Sequence, residues 1–193
     1  MGLGASKLDR LVQVRRFTST PDPFGGGTLS WADHGDPVPA HRADVKDSER
    51  VAAGAFRNTS LIRFTIRSSA FSRGITAEDQ IEHEGQTFNI VGIKDATGDL
   101  ARGRELIRAV PPGFAVYTGD DGTAVEFLLA GGDGNISVTA NVVPERVATV
   151  CRLALAGDGA AARAANDRLA DINAALFVEA NPMPVKYALA ALG

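Results

Sequence analysis

The chain holds one cysteine, Cys151, so no intramolecular disulfide can form and the composition suits a reducing compartment. No apolar run approaches the ~18 residues of a transmembrane helix, which argues against a membrane span. Aromatic residues are few, with one tryptophan and two tyrosines. The three histidines, His34, His41 and His83, share no metal-ligand spacing, and we read neither a metal nor a cofactor site. Charge of one sign is also lacking. Residues 1–93 carry 11 basic and 11 acidic side chains, and residues 94–193 carry 9 and 12, which gives the net −3 of the whole chain. Neither half is basic enough to form a polyanion-binding surface.

What is present changes character midway. A length of 193 residues allows one large domain or two small ones. The first half holds Trp31, the histidines and prominent Pro/Gly clusters, whereas the second half is rich in alanine. Leu8–Thr18 reads as a strand, with Val12, Val14 and Arg16 on one face. Pro21–Gly27 reads as a loop, and Thr28–Asp33 and Ala40–Val45 as short strands around Gly35–Pro39. Ser48–Gly54 is charged and small, a loop or a single helical turn. Ser60–Arg67 alternates clearly, with Ile62, Phe64 and Ile66 on one face. Gln80–Glu84 and Gln86–Ile93 form a hairpin around Glu84-Gly85. We expect Ile62, Phe64, Ile66 and Ile90 to point into an antiparallel core.

Several features of this half occur together. They are the arginine-bearing first strand, Asp22-Pro23-Phe24-Gly25-Gly26 before Trp31, Phe64-Thr65-Ile66-Arg67, and the hairpin Asp79–Ile93. In order and spacing they resemble the head–tail joining proteins of tailed phages, also called head-closure or stopper proteins. The resemblance covers about residues 8–93. It implies a small antiparallel β-barrel or sandwich, a structural and non-enzymatic role, assembly into a ring, and contacts with the portal and tail proteins of a phage particle.

From Lys94 the pattern alternates between strands and helices, as in parallel α/β folds. Asp99–Ala109 reads as a helix, Phe114–Thr118 as a strand, Gly122–Ala130 as a helix stopped by Gly131-Gly132, and Asn135–Val138 as a strand. Pro144 opens a helix over Glu145–Ala156. A long helix follows over about Ala160–Phe177, and Asn181-Pro182 precedes a last one over Met183–Leu192. Cys151 lies on an apolar helix face and reads as packing. Asp120 and Asp121 read as a loop and helix cap rather than a metal site.

The motifs VGIKDATGD (91–99), TGDD (118–121), GNISVTANV (134–142) and LFVEANPMPVK (176–186) resemble dihydrodipicolinate synthase. The resemblance covers about residues 88–193. It implies the barrel from its sixth strand onward, hence a partial (β/α)8 barrel with C-terminal helices. By that resemblance Lys94 is the pyruvate-binding Schiff-base lysine, and Gly119 and Ile136 line the pocket with their backbone. Everything before the sixth strand is replaced. The tyrosine and arginine expected before the lysine, and the early threonine pair, are therefore missing, and three strands of eight cannot close a desolvated pocket.

The expected architecture is α+β overall, with a joining-type β-domain over 1–93 and a truncated synthase-like segment over 94–193. The expected function is a structural joining module whose second half is not catalytic alone. The alternative is a class I aldolase-type lyase acting on pyruvate in lysine biosynthesis. A homo-oligomer, cytoplasmic or virion-associated, is expected.

Overall fold

The structure is a computed structural model that describes residues 8–21, 27–45 and 61–193. The expected loop over Pro21–Gly27 falls for the most part, at residues 22–26, outside the described residues, as does the segment Ser48–Gly54. The chain divides into two compact units, one up to Ile90 and one from Val91 onward.

The first unit is built on one long strand. β1 (Arg10–Pro21) pairs antiparallel with three partners along its length: β3 (Val38–Asp44) through Arg10–Val12, β5 (Gln80–His83) through Gln13–Arg15, and β2 (Gly27–Asp33) through Arg15–Pro21. β4 (Ile62–Ile66) pairs with β3, and β6 (Gln86–Asn89) with β5, so the sheet runs β4-β3-β1-β5-β6 with β2 beside the far end of β1. The expected hairpin turn is Glu84-Gly85, with φ of +51° and +74°. Positive φ at both central residues gives the twist that a two-residue hairpin needs, and glycine supplies the second at no steric cost.

The alternation in β1 decides the core. Val12 and Val14 are 1% and 0% exposed, and Ala40 and Ile81 close around them. Phe64, Ile66 and Ile90 pack against this centre, as expected from their pattern, and Phe88 joins them. Ile62 is half-buried and lies outside the cluster, because it pairs with Asp44 at the end of β3. Arg16 continues the Val12–Val14 face. Its guanidinium reaches Asp79, with Nε and Nη2 both donating to the carboxylate at 2.7 Å. Asp79 is 2% exposed, and its Oδ2 also accepts from the Thr76 amide at 2.7 Å.

The second unit is a parallel sheet with helices. β7 (Gly92–Asp95), β8 (Ala115–Thr118) and the two-residue β9 (Gly134–Asn135) lie side by side in that order. α1 (Leu100–Ala109) and α2 (Ala124–Leu129) connect them. Asp99 caps α1 by accepting from the Ala101 and Arg102 amides. α3 (Pro144–Leu155), α4 (Gly159–Asp167), α5 (Ala170–Leu176) and α6 (Met183–Leu192) follow. Val125, Leu128, Val147, Val150, Ala154, Ala162 and Leu169 form the core, with Cys151 packed on its edge.

Three expectations change. The strand foreseen over Gln86–Ile93 is two strands: pairing with β5 ends at Asn89, and Gly92–Asp95 joins the other sheet. The strand over Asn135–Val138 shortens to Gly134–Asn135, because Val138 and Thr139 donate their amides to Asp121 instead of to a strand neighbour. The long helix over Ala160–Phe177 is broken at Arg168-Leu169, where the Leu169 amide tightens onto Asn166 O at 2.8 Å. Asn166 and Asp167, weak helix formers, precede that break.

The Arg16–Asp79 clamp makes the first unit sensitive to acid. Burial pushes the Asp79 carboxyl up, but the bonds from Arg16 and Thr76 and the Arg16 charge outweigh it, leaving the pKa below the ordinary carboxylate range. Such a group stabilises the fold above its unfolded value of about 3.9, and the contribution is lost as pH falls through the folded value. Asp79→Asn is expected to cost about 2 kcal/mol at pH 7. Trp31 fluorescence during thermal melting should show this gap in full at neutral pH and show it shrinking below about pH 4.

Candidate functional site

The carboxyl ends of β7, β8 and β9 gather the residues singled out from the sequence. Lys94 is the third residue of β7 and stands opposite Tyr117 on β8. Gly119 directly follows β8, and its amide donates to Asp95 O at 2.7 Å, which extends the β7–β8 pairing by one step. Ile136 directly follows β9, and its amide donates to Thr118 O at 2.9 Å. All three candidate residues therefore lie at one end of one small sheet. Ligand sites of parallel α/β folds lie at this end.

Lys94 and Gly119 are in contact. A Cβ built on Gly119 would fall inside Lys94 Cε, and would stand 3.0 Å from Nζ and 2.9 Å from Ala96 Cβ. The absence of a side chain at position 119 leaves the room through which the Lys94 stem passes. Tyr117 lies on the same face, and its ring edge would be 3.0 Å from a Cβ on Gly134. The sequence places Tyr117 short of the strand tip, and the register adds that it is the direct cross-strand neighbour of Lys94.

The two faces of the sheet differ. Val116, Thr118 and Asp95 are 1%, 2% and 8% exposed beneath the helices. On the opposite face Gly92, Ala115 and Tyr117 are half-buried, and Lys94 is exposed. A Schiff-base lysine needs the reverse, since burial is what favours the neutral amine. Beside this end lies a small recess between Asp95, Thr97, Gly98, Leu100, Thr118 and Phe127, with room on the scale of a single water molecule.

The adjacent carboxylates Asp120 and Asp121 support this end of the sheet in different ways. Asp121 is 3% exposed and accepts from Asn135 Nδ2 at 2.9 Å and from the Val138 and Thr139 amides at 2.9 and 3.1 Å. It ties the loop that carries Ile136 to the end of β8. Asp120 acts locally, holding the turn before α2 by accepting from the Thr123 amide and hydroxyl. The adjacent-carboxylate pattern thus hides two different roles, and only the span of 17 residues from Asp121 to Val138 separates them. Asp95 accepts from the Thr97 amide at 3.0 Å and faces Arg102 Nε at 3.0 Å, an ion pair whose alignment falls short of a hydrogen bond. Cys151 is raised above the usual thiol range by burial and by the Asp121 charge, so it stays a thiol at neutral pH. Among the described residues, no three or more His, Cys, Asp and Glu side chains gather where they could hold a metal ion.

Comparison with known proteins divides the chain in the same sense as its folding pattern. Residues 76–193 match the dihydrodipicolinate synthetase family, and residues 3–107 match the phage head completion protein family. Each match takes in more than half of the chain, so the chain belongs to both families, and the two matches overlap over residues 76–107. Among curated relatives, the 4-hydroxy-tetrahydrodipicolinate synthase of Stutzerimonas stutzeri is 56% identical over 115 residues, and that of Nitrosomonas eutropha 60% over 108. These alignments take in 60% and 56% of this chain but only 39% and 37% of the enzymes. The chain thus spans about two fifths of the length of the curated relatives it matches. The chloride-inhibited dihydrodipicolinate synthase of Acinetobacter baumannii, solved with pyruvate, is 52% identical with a TM-score of 0.53, over 56% of this chain and 37% of that one. The Aquifex aeolicus enzyme is 39% identical with the same TM-score, over 54% and 36%.

Asp121 offers a direct test of how the site is held. Asp121→Ala leaves one side-chain and two backbone donors without their acceptor, and is expected to cost about 2–4 kcal/mol. Circular dichroism melting should show the loss, and Asp120→Ala should cost about 1 kcal/mol, since it removes only local turn hydrogen bonds at a half-buried site. Equal losses for the two variants would contradict the division of roles.

Proposed function

We propose that this protein is a structural joining module of the phage head-completion type, fused to a truncated synthase segment that is not catalytic alone. The family match over residues 3–107 supports the first part. One structural observation carries the reading further. β1 and β2 continue together past the rest of the sheet as a two-stranded ribbon, and its cross-strand pair Phe17–Trp31 stands 47% and 37% exposed with ring centroids 5.3 Å apart. A two-stranded ribbon is marginal in water by itself. Exposed aromatics on such an arm suit contact with a neighbouring subunit. In this reading the antiparallel sheet is the small barrel or sandwich of a joining protein, the module forms a homo-oligomer, and its partners are the portal and tail proteins of a virion. No helix among the described residues is long and apolar enough to cross a membrane.

A second reading has its own support. Lys94, Gly119 and Ile136 stand together at the strand ends, and relatives above 50% identity are synthases. In that reading Lys94 is the catalytic nucleophile toward pyruvate, with the backbone of Gly119 and Ile136 lining the site. The nucleophile of a Schiff base is the neutral amine, which burial favours. The exposure of Lys94 and the replaced barrel strands therefore favour at most trace activity.

Two measurements follow. Light scattering over a range of concentrations should give masses above the 20.2 kDa of one chain, and Phe17→Ser with Trp31→Ser should lower them. A species that stays monomeric throughout would remove the joining role. Borohydride reduction with pyruvate, followed by intact-mass and peptide analysis, should leave Lys94 almost unmodified. Stoichiometric modification that vanishes in Lys94→Ala would place the lyase reading first.

A further inference from the structure

We infer that β2 is a strand-addition edge for a second copy of this chain, the two β2 strands pairing antiparallel about a two-fold axis at Ser30. This rests on the reading of the β1–β2 ribbon as a contact arm and specifies what the arm holds. Among the described residues, β2 pairs only with β1, so its other side is an edge. Ser30, Trp31, Ala32 and Asp33 along it are all exposed. Sheet edges are kept from pairing by shortness, charge, proline or a bulge. The two other end strands of the sheet have such protection: β4 has five residues and carries Arg63, and β6 has four. β2 has seven, and its register with β1 runs without a bulge from Arg15–Asp33 to Pro21–Gly27. Its sequence, GTLSWAD, holds neither a proline nor a charge before Asp33.

The hydrogen-bond phase of the ribbon gives the outward groups. The His34 amide donates to Val14 O at 2.8 Å, so Val14 and His34 form a hydrogen-bonded pair. Bonded and non-bonded pairs alternate along an antiparallel ladder. Arg15–Asp33, Phe17–Trp31, Ser19–Leu29 and Pro21–Gly27 are then non-bonded pairs. Gly27, Leu29, Trp31 and Asp33 therefore turn their backbone N–H and C=O away from β1. Trp31 O accepts from Arg15 Nη2 at 3.0 Å and keeps a second lone pair. When two β2 strands overlap fully, Ser30 meets Ser30 of the second copy, and Leu29 exchanges both backbone bonds with Trp31 of the second copy. Asp33, the one charged residue of the strand, falls opposite Gly27, so no like charges face each other. The axis stands perpendicular to the extended sheet, which puts both Phe17–Trp31 pairs on one face. A two-stranded ribbon, marginal in water by itself, becomes part of a four-stranded sheet.

The test is sedimentation and light scattering of the whole chain over a range of concentrations. Wild type is expected to form a species of twice 20.2 kDa. Ser30→Lys and Ser30→Asp each set like charges against each other at the axis, and each alone should weaken the dimer at least about fivefold. An equimolar mixture of the two variants should recover it, since opposite charges then meet. Leu29→Pro removes one outward N–H and leaves the pairing with β1 and the Phe17–Trp31 face in place. It should weaken the dimer by a similar factor while circular dichroism melting stays near that of wild type. Association that Phe17→Ser with Trp31→Ser abolishes, but that neither the Ser30 variants nor Leu29→Pro weaken, overturns the edge pairing and leaves the contact arm standing. Weakening by both Ser30 variants that their mixture does not reverse overturns the two-fold register. A chain that stays monomeric at every concentration overturns both the pairing and the arm.

Discussion

The chain between Phe88 and Ile93 has to serve two sheets of opposite kind, and the rest of the molecule follows from how that demand is met. Phe88 stands opposite Ile81 in an antiparallel pair, and five residues later Ile93 stands opposite Val116 in a parallel one. A strand forms pairs through its edges, and its residues alternate between faces. One uninterrupted strand would have to satisfy both registers with the same residues. The chain separates them at Ile90-Val91. Ile90 packs against the Val12–Val14 core, Val91 is 58% exposed, and the parallel pairing begins with the Ala115 amide donating to Val91 O. An apolar run that reads as continuous is thus split into a closing strand and an opening strand.

That division also marks where sequence reading stops working. The alternation of Leu8–Thr18, the Glu84-Gly85 turn and the Ile62–Ile66 pattern led directly to strands, because period-two alternation and positive-φ turns are local properties. The parallel strands with their intervening helices were equally legible through motif resemblance. Details that depend on a distant partner were not. Val138 is withdrawn from a strand by Asp121, and no local pattern announces a carboxylate that acts 17 residues away. The break at Arg168-Leu169 carries no proline or glycine. Arg16 read only as a charged residue on an apolar face, and its reason, the buried Asp79, lies 63 residues further on.

The candidate site divides along the same line. Residue identity placed Lys94, Gly119 and Ile136 at strand ends, and the hydrogen bonds from Gly119 and Ile136 put them at one end of one sheet. What identity could not convey is environment. The chemistry of an amine is set by what surrounds it, and the exposure of Lys94 is a property of strands that the replaced segment would have had to supply.

The spacing of the two sheets along the chain has a consequence for synthesis. β1 cannot complete its pairings until β5 has been made, some 65 residues later, whereas β7 and β8 are close neighbours in sequence. Domains fold as units during translation, beginning at the amino end. When Gln86–Asn89 leaves the ribosome, β1 and β5 are already outside and Ala115–Thr118 is not. The antiparallel sheet therefore has first claim on the shared segment, and the parallel sheet takes what is left. Order of emergence settles the competition before the alternative partner is outside the ribosome.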